Sequence, residues 1–204
     1  MKWKIFKTSS FVFLLIVIGK LFSMIREMYF SAIFGTSIYA DAYFTANIIP
    51  SLLNAPLTIS SLVFFIPLYT GCKEKKGEEA ANRFASNLIT IYVIFNTFLA
   101  LVAFVAGPAI VKILAPEFTD ETYRCCLSLV RLLVLSFPVT IAVHIYMNIS
   151  NANQKHYVPQ LLTLFNSIIS IILMFLLIPT YGIYAMPVIG LIAWLLQLVI
   201  QSFS

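Results

Sequence analysis

Long apolar runs, broken by short polar stretches, cover almost the whole chain. The first run is about Phe11–Phe34 and is closed by Gly35, Thr36 and Ser37. The second is about Ala42–Tyr69, followed by the polar run "GCKEKKGEEAANR" at residues 71–83. The third is about Asn87–Leu114, after which "APEFTDETYR" (residues 115–124) reads as a short loop. The fourth is about Leu127–Asn148, with a loop at residues 150–157. The fifth is about Val158–Ile178, ended by "PTYG", and the sixth is about Ile183–Ile200. A helix that crosses a bilayer needs about 20 apolar residues. The pattern therefore predicts an all-α polytopic membrane protein whose six transmembrane helices form one unit, 1–204.

The polar run after the second span has helical spacing and mixed signs. It reads either as an amphipathic interfacial helix or, the preferred reading, as a solvated loop leading into the third span. The second span holds Pro50, Pro56 and Pro67. Proline removes a backbone donor and kinks a helix, and freed carbonyls in a membrane are tolerated where protein or water satisfies them. This predicts a bent, cavity-lining helix, with ordinary kinking as the alternative.

Charge alters the picture most in the first span, which carries Lys20, Arg26 and Glu27. An ionisable group deep in a bilayer costs several kcal/mol, so such residues normally face a partner or a wet interior. At 1.5 Å per residue, Lys20 lies about 14 Å into the span and Arg26 about 22 Å. Six residues turn a helix by about 600°, so the two cations point about 120° apart, and Glu27 returns to the Lys20 side about 10 Å further on. Snorkelling to the headgroups accounts for Arg26 more easily than for Lys20. The reading preferred here has both cations lining one wet cleft suited to an anionic head group. Asp41 starts the second span, either solvated or paired with Arg26, and Asn47 and Asn54 lie within that span.

Composition agrees with the pattern. Hydrophobic residues make up 61% and charged residues 10%, with mean hydropathy +0.96. A soluble domain carries about 25% charged residues. The net charge of +5 reads as loop bias, and no aromatic-interleaved basic tract suggests nucleic-acid binding. With the N-terminus in the cytoplasm, inner segments hold Lys2, Lys4, Lys7, Lys73, Lys75, Lys76, Arg83 and Lys155, whereas outer loops hold only Lys112 and Arg124. Both termini are therefore expected in the cytoplasm. "MKWKIFK" and "FVFLLIVIG" imitate a signal peptide, but no A-x-A site follows, so this is read as an uncleaved first span.

Chemistry-bearing motifs are sparse. Cys72, Cys125 and Cys126 show no C-x-x-C or zinc spacing and read as free thiols. There is no P-loop, GxGxxG, HExxH or GxSxG. His144, midway in the fourth span, reads as a hydrogen-bonded structural residue. No cofactor or metal is implied, and the chain is not read as an enzyme.

The stretch "IREMYFSAIFGTSIYADAYFTANIIPSLL" resembles the MviN/MurJ-type lipid II flippases of the multidrug/oligosaccharidyl-lipid/polysaccharide exporter superfamily. The resemblance rests on Lys20, Arg26-Glu27, Phe34-Gly35, Asp41-Ala42-Tyr43-Phe44 and Ile49-Pro50. Downstream it continues through "LAPEFTDET", "SNANQKHYVPQLLTLFNSII" and "GIYAMPVIGLIAWLLQLVIQ". It implies one six-helix lobe of a two-lobe flippase in a bacterial inner membrane, with the C-terminal lobe missing here. It also implies alternating access that moves an undecaprenyl-pyrophosphate-linked glycan, the peptidoglycan precursor first among them, across the membrane lipids. Substrate contacts carried over by motif are Lys20, Arg26 and Asp41, joined by the in-span amides Asn47 and Asn54. The chain differs from the family in having Lys at position 20, where a fork-like arginine grip becomes a point charge. It also has the uncharged run "SLLNAPLTISSLVFF" after Pro50. A flippase for another lipid-linked polysaccharide, an ion-coupled drug exporter, a polyprenyl-phosphate enzyme and a non-transporting truncated lobe stand as alternatives.

Overall fold

The computed structural model describes residues 2–202, with side chains described from Ser10 onward. The N-terminal lysines Lys2, Lys4 and Lys7, used above for orientation, have side chains outside the described part. Seven α-helices follow one another: α1 (Lys2–Phe34), α2 (Ile38–Lys76), α3 (Glu78–Leu114), α4 (Asp120–Val134), α5 (Phe137–Ala152), α6 (Tyr157–Tyr181) and α7 (Ala185–Ser202). A short 3-10 turn, Gly182–Tyr184, joins the last two. No strand occurs among the described residues.

The helices follow the six expected segments in order, with one in two pieces. The fourth span is broken between α4 and α5, whose axes differ by 44°. Its cause is local: Pro138 sits in the first turn of α5, where its missing N–H and fixed φ favour a helix start. Ser136 donates from Oγ to the Leu133 carbonyl at 2.7 Å, closing the frayed turn. The helices α2 and α3, the α6-to-α7 stretch, and α4 with α5 as one bent span are long and apolar enough to cross a membrane. The helix α1 is of comparable length, 33 residues, and carries Lys20, Arg26 and Glu27 within its apolar run.

Between the second and third spans the preferred loop reading is overturned. The polar run is helical on both sides of a single residue, Gly77. Its Lys, Glu and Ala content favours helix, and the charges complement the helix dipoles: Lys73, Lys75 and Lys76 end α2, and Glu78 and Glu79 start α3. Gly77 makes the reversal at φ 86°, ψ 174°, a region essentially reserved for glycine. With 39 residues, α2 is about 58 Å long, well beyond the hydrocarbon core. The loop expected at residues 115–124 shrinks likewise: Thr119 caps α4 by accepting from the Thr122 N–H at 3.4 Å, so helix resumes at Asp120.

The surface is inverted relative to a soluble protein. Phe13, Phe64, Phe98, Val105 and Leu176 are exposed, whereas Asn96, Asn148 and Gln197 are buried. The helix α2 is central, packing on α3, α4 and α5, while α1 lies along α6 and α6 along α7. One apolar core gathers Phe30, Ile49, Leu129, Phe137 and Met174, and a second gathers Phe65, Tyr69, Ile141 and Ile145 nearer Gly77.

Candidate functional site

The main cavity, of about 660 Å³, opens between α1, α2, the α4–α5 break, α6 and α7. It exists because α1 leans on α6 rather than on α2 along most of its length. Tyr29 stacks against Phe175 of α6 at 4.1 Å between ring centroids. Only near its end does α1 meet α2, where Phe30 gathers Phe34, Tyr43 and Phe44 at 5.0, 5.2 and 5.4 Å. The two helices thus diverge from an aromatic clasp.

From α1 come Arg26 and Glu27, a cation and an anion on adjacent residues. From α2 come Tyr43, Asn47, Pro50 and Asn54, spaced 4, 3 and 4 residues apart and so on one helix face. Asn47 donates from Nδ2 to the Tyr43 carbonyl at 2.8 Å, which keeps its own amide oxygen available. Asn54 Oδ1 is buried without a partner. Pro50 cannot donate to the carbonyl four residues back. The broken span contributes Leu133 and Ser136, in keeping with irregular backbone at membrane depth being tolerated where it lines a cavity.

The wall opposite brings Thr140 and His144 of α5 and Trp194 of α7. His144 Nδ1 lies 2.7 Å from the Thr140 carbonyl. A carbonyl only accepts, so Nδ1 donates this bond and Nε2 is left for another partner. The imidazole also lies 5.7 Å from the Trp194 ring. The sequence reading kept His144 as structural; the structure gives it both that bond and a place in the cavity wall. Its signal was an ionisable group at mid-span. Trp194, Thr140 and Tyr43 carried no comparable signal.

Of the five sequence-derived site residues, the cavity brings together Arg26, Asn47 and Asn54. Lys20 is exposed on α1 and stands outside this wall, as an offset of about 120° from Arg26 requires. Asp41 is exposed in the first turn of α2, where a carboxylate suits the helix dipole. The ion pairs among the described residues are Lys73–Glu78 and Arg83–Glu79, so Arg26 and Asp41 are not joined. Glu27 shares the cavity with Arg26 instead of lying with Lys20. No group of three or more His, Cys, Asp or Glu able to hold a metal occurs among the described residues. All three cysteines are free.

An all-helical, multi-pass membrane lobe around a polar cavity open between its first two spans is the class this fold and site define. The chain belongs to the family described as "Lipid II flippase MurJ", whose model matches residues 30–204. Lys20 and Arg26 lie just before that match. The probable lipid II flippase MurJ of Aquifex aeolicus (strain VF5) is 25% identical over 205 residues, 98% of this chain and 40% of that protein. That of Buchnera aphidicola subsp. Schizaphis graminum (strain Sg) is 25% identical over 194 residues, 93% of the chain and 37% of that protein. The lipid II flippase MurJ of Thermosipho africanus (strain TCF52B) is 27% identical over 187 residues, 91% of the chain and 38% of that protein. The chain thus spans well under half the length of these relatives. The family is named for a transporter and places the chain among multi-pass proteins of the bacterial inner membrane.

Proposed function

We propose that this chain is the N-terminal lobe of a flippase that carries an undecaprenyl-pyrophosphate-linked glycan, lipid II, from the inner to the outer leaflet. One observation carries the reading: Arg26 lines, beside Glu27, a cavity whose remaining wall mixes amides, hydroxyls, an imidazole and an indole with apolar side chains. A guanidinium suits a diphosphate, and the amides, hydroxyls and aromatic rings of the wall suit a sugar. The second lobe would close the cavity and bring its own side chains, with alternating access arising from rocking of one lobe against the other. Lys20, exposed on α1, would meet the substrate or that lobe only in the two-lobe protein, and Asp41 would act at the mouth. Both termini of the lobe would face the cytoplasm. A cysteine at Glu117 would then react with an impermeant maleimide in intact cells, and one at Gln154 only after permeabilisation; the reverse result overturns the orientation.

The test of function is translocation of labelled lipid II by the complete two-lobe protein. Arg26→Ala should lower the rate by roughly ten- to a hundredfold, the range of a hydrogen bond to a charged group at about 1.5–3 kcal/mol. Transport unchanged in Arg26→Ala removes the cation role. A second undecaprenyl-pyrophosphate-linked glycan run alongside separates lipid II from another polysaccharide unit.

A further inference from the structure

A second polar cleft, of about 390 Å³, lies at the end of the lobe near Gly77, between α3, α5, the start of α6 and the end of α7. Its hydroxyls Thr90, Ser150 and Ser202 donate to backbone carbonyls, but its amides hold N–H groups without an acceptor among the described residues. Asn82 spends its Oδ1 accepting from the Tyr69 hydroxyl at 3.1 Å. Asn153 spends its Oδ1 accepting from Lys73 Nζ at 2.7 Å. Each amide is thereby oriented with its NH2 group left over. Lys155 lines the same cleft and is exposed at its rim. The N-terminus of the 25-residue helix α6 lies beside it through Val158, whose N–H is already donated to the Lys155 carbonyl at 3.0 Å. The positive end of the helix dipole favours an anion there.

The independent observation is Gln201. It stands in the cleft wall, is only 7% exposed, and neither its Nε2 nor its Oε1 has a partner among the described residues. A buried amide without partners is costly and marks a place where a polar ligand belongs. We propose that this cleft is a phosphate-binding site, distinct from the main cavity, for a phosphate carried on an anionic phospholipid headgroup or free in solution. Lys155 and the positive end of the α6 dipole supply the charge, and Asn82, Asn153 and Gln201 supply hydrogen bonds to the oxygens. Basic pockets between spans are the usual receptors for such headgroups.

The test is thermal unfolding of the full chain in detergent micelles doped with phosphatidylglycerol or phosphatidylcholine, with inorganic phosphate as a third arm. Phosphatidylglycerol should raise Tm saturably by roughly 4 °C or more over phosphatidylcholine, and Lys155→Glu and Gln201→Leu should each remove at least half of that rise. An equal rise with inorganic phosphate, lost in the same variants, assigns the site to soluble phosphate; no rise with it assigns the site to lipid. Lys155 is a rim residue whose replacement leaves the fold intact, so Lys155→Glu decides if Gln201→Leu does not fold. The proposal is overturned if Lys155→Glu keeps the full rise, or if neither phosphatidylglycerol nor phosphate raises Tm above phosphatidylcholine.

Discussion

Asn166 donates from Nδ2 to Oε1 of Gln197 at 3.0 Å, joining α6 to α7 at positions almost equidistant from the turn at Gly182. The bond fixes the two last spans as an antiparallel hairpin in register, with Gln197 fully buried. Bonds of this kind between membrane helices are worth about 0.6–2 kcal/mol. Gln197→Leu should therefore destabilise the lobe by about 1 kcal/mol, and Asn166→Leu by a similar amount. The double variant should cost less than the sum, because the second change orphans nothing. Unfolding of the four proteins in detergent checks this; strict additivity would show that the bond is not made.

Gly77 gives the reversal between α2 and α3 a backbone that other residues avoid. A Cβ there meets no atom within 4 Å, so space is not the obstacle; the positive φ is. Gly77→Ala should cost about 1–3 kcal/mol, seen as a lower unfolding midpoint, with the lobe still folded. A change no larger than that of Gly71→Ala, also in open space but inside α2, would contradict the conformational account.

Much of this arrangement was legible in the chain, for physical reasons that also set the limit. Apolar runs of membrane-spanning length announce helices, because a bilayer accepts little else. The ends were misjudged where helix formers carry charge: "KEKKGEEAANR" is polar and still helical, since polarity reports water and not backbone shape. The break at Ser136 was missed because Pro138 sits inside an unbroken apolar run. Arg26, Asn47 and Asn54 were legible as cavity residues because a polar group in a span must face something wet or polar. Trp194 and Tyr43 were not, since an aromatic residue looks the same in a cavity wall as in a core or a lipid face.

Gly107 fits α3 against α4. A Cβ on it would lie 3.2 Å from Leu127 Cδ1 and 3.7 Å from Val130 Cγ1. The first neighbour is the end of a flexible side chain, so Gly107→Ala needs only a small shift. In that variant the helix propensity gained, about 1 kcal/mol, offsets the crowding, and stability should change by less than about 1 kcal/mol. Gly107→Leu has no such escape against fully buried Val130 and should destabilise by about 1–3 kcal/mol, the usual cost of overpacking. Thermal midpoints of the two variants separate close packing from loose contact; equal midpoints would mean that α3 and α4 do not pack closely at Gly107.

His144 offers the clearest separation of structure from recognition in the cavity. Its ring lies tilted beside Trp194, and its Nδ1 proton goes to the Thr140 carbonyl, a group that also sits within the α5 backbone ladder. His144→Phe keeps a flat ring beside Trp194 and removes both nitrogens. The lobe should then unfold within about 2 °C of the parent, because the lost bond is worth only about 0.5–1.5 kcal/mol and the larger apolar ring recovers part of it. If Nε2 faces a hydroxyl of the transported glycan, the complete protein should lose severalfold in lipid II translocation at that nearly unchanged stability. His144→Gln, which restores a polar group, should recover part of the transport. Equal transport in His144→Phe and the parent would return His144 to a purely structural role and leave Arg26 and the α2 amides as the polar contacts proposed for this lobe.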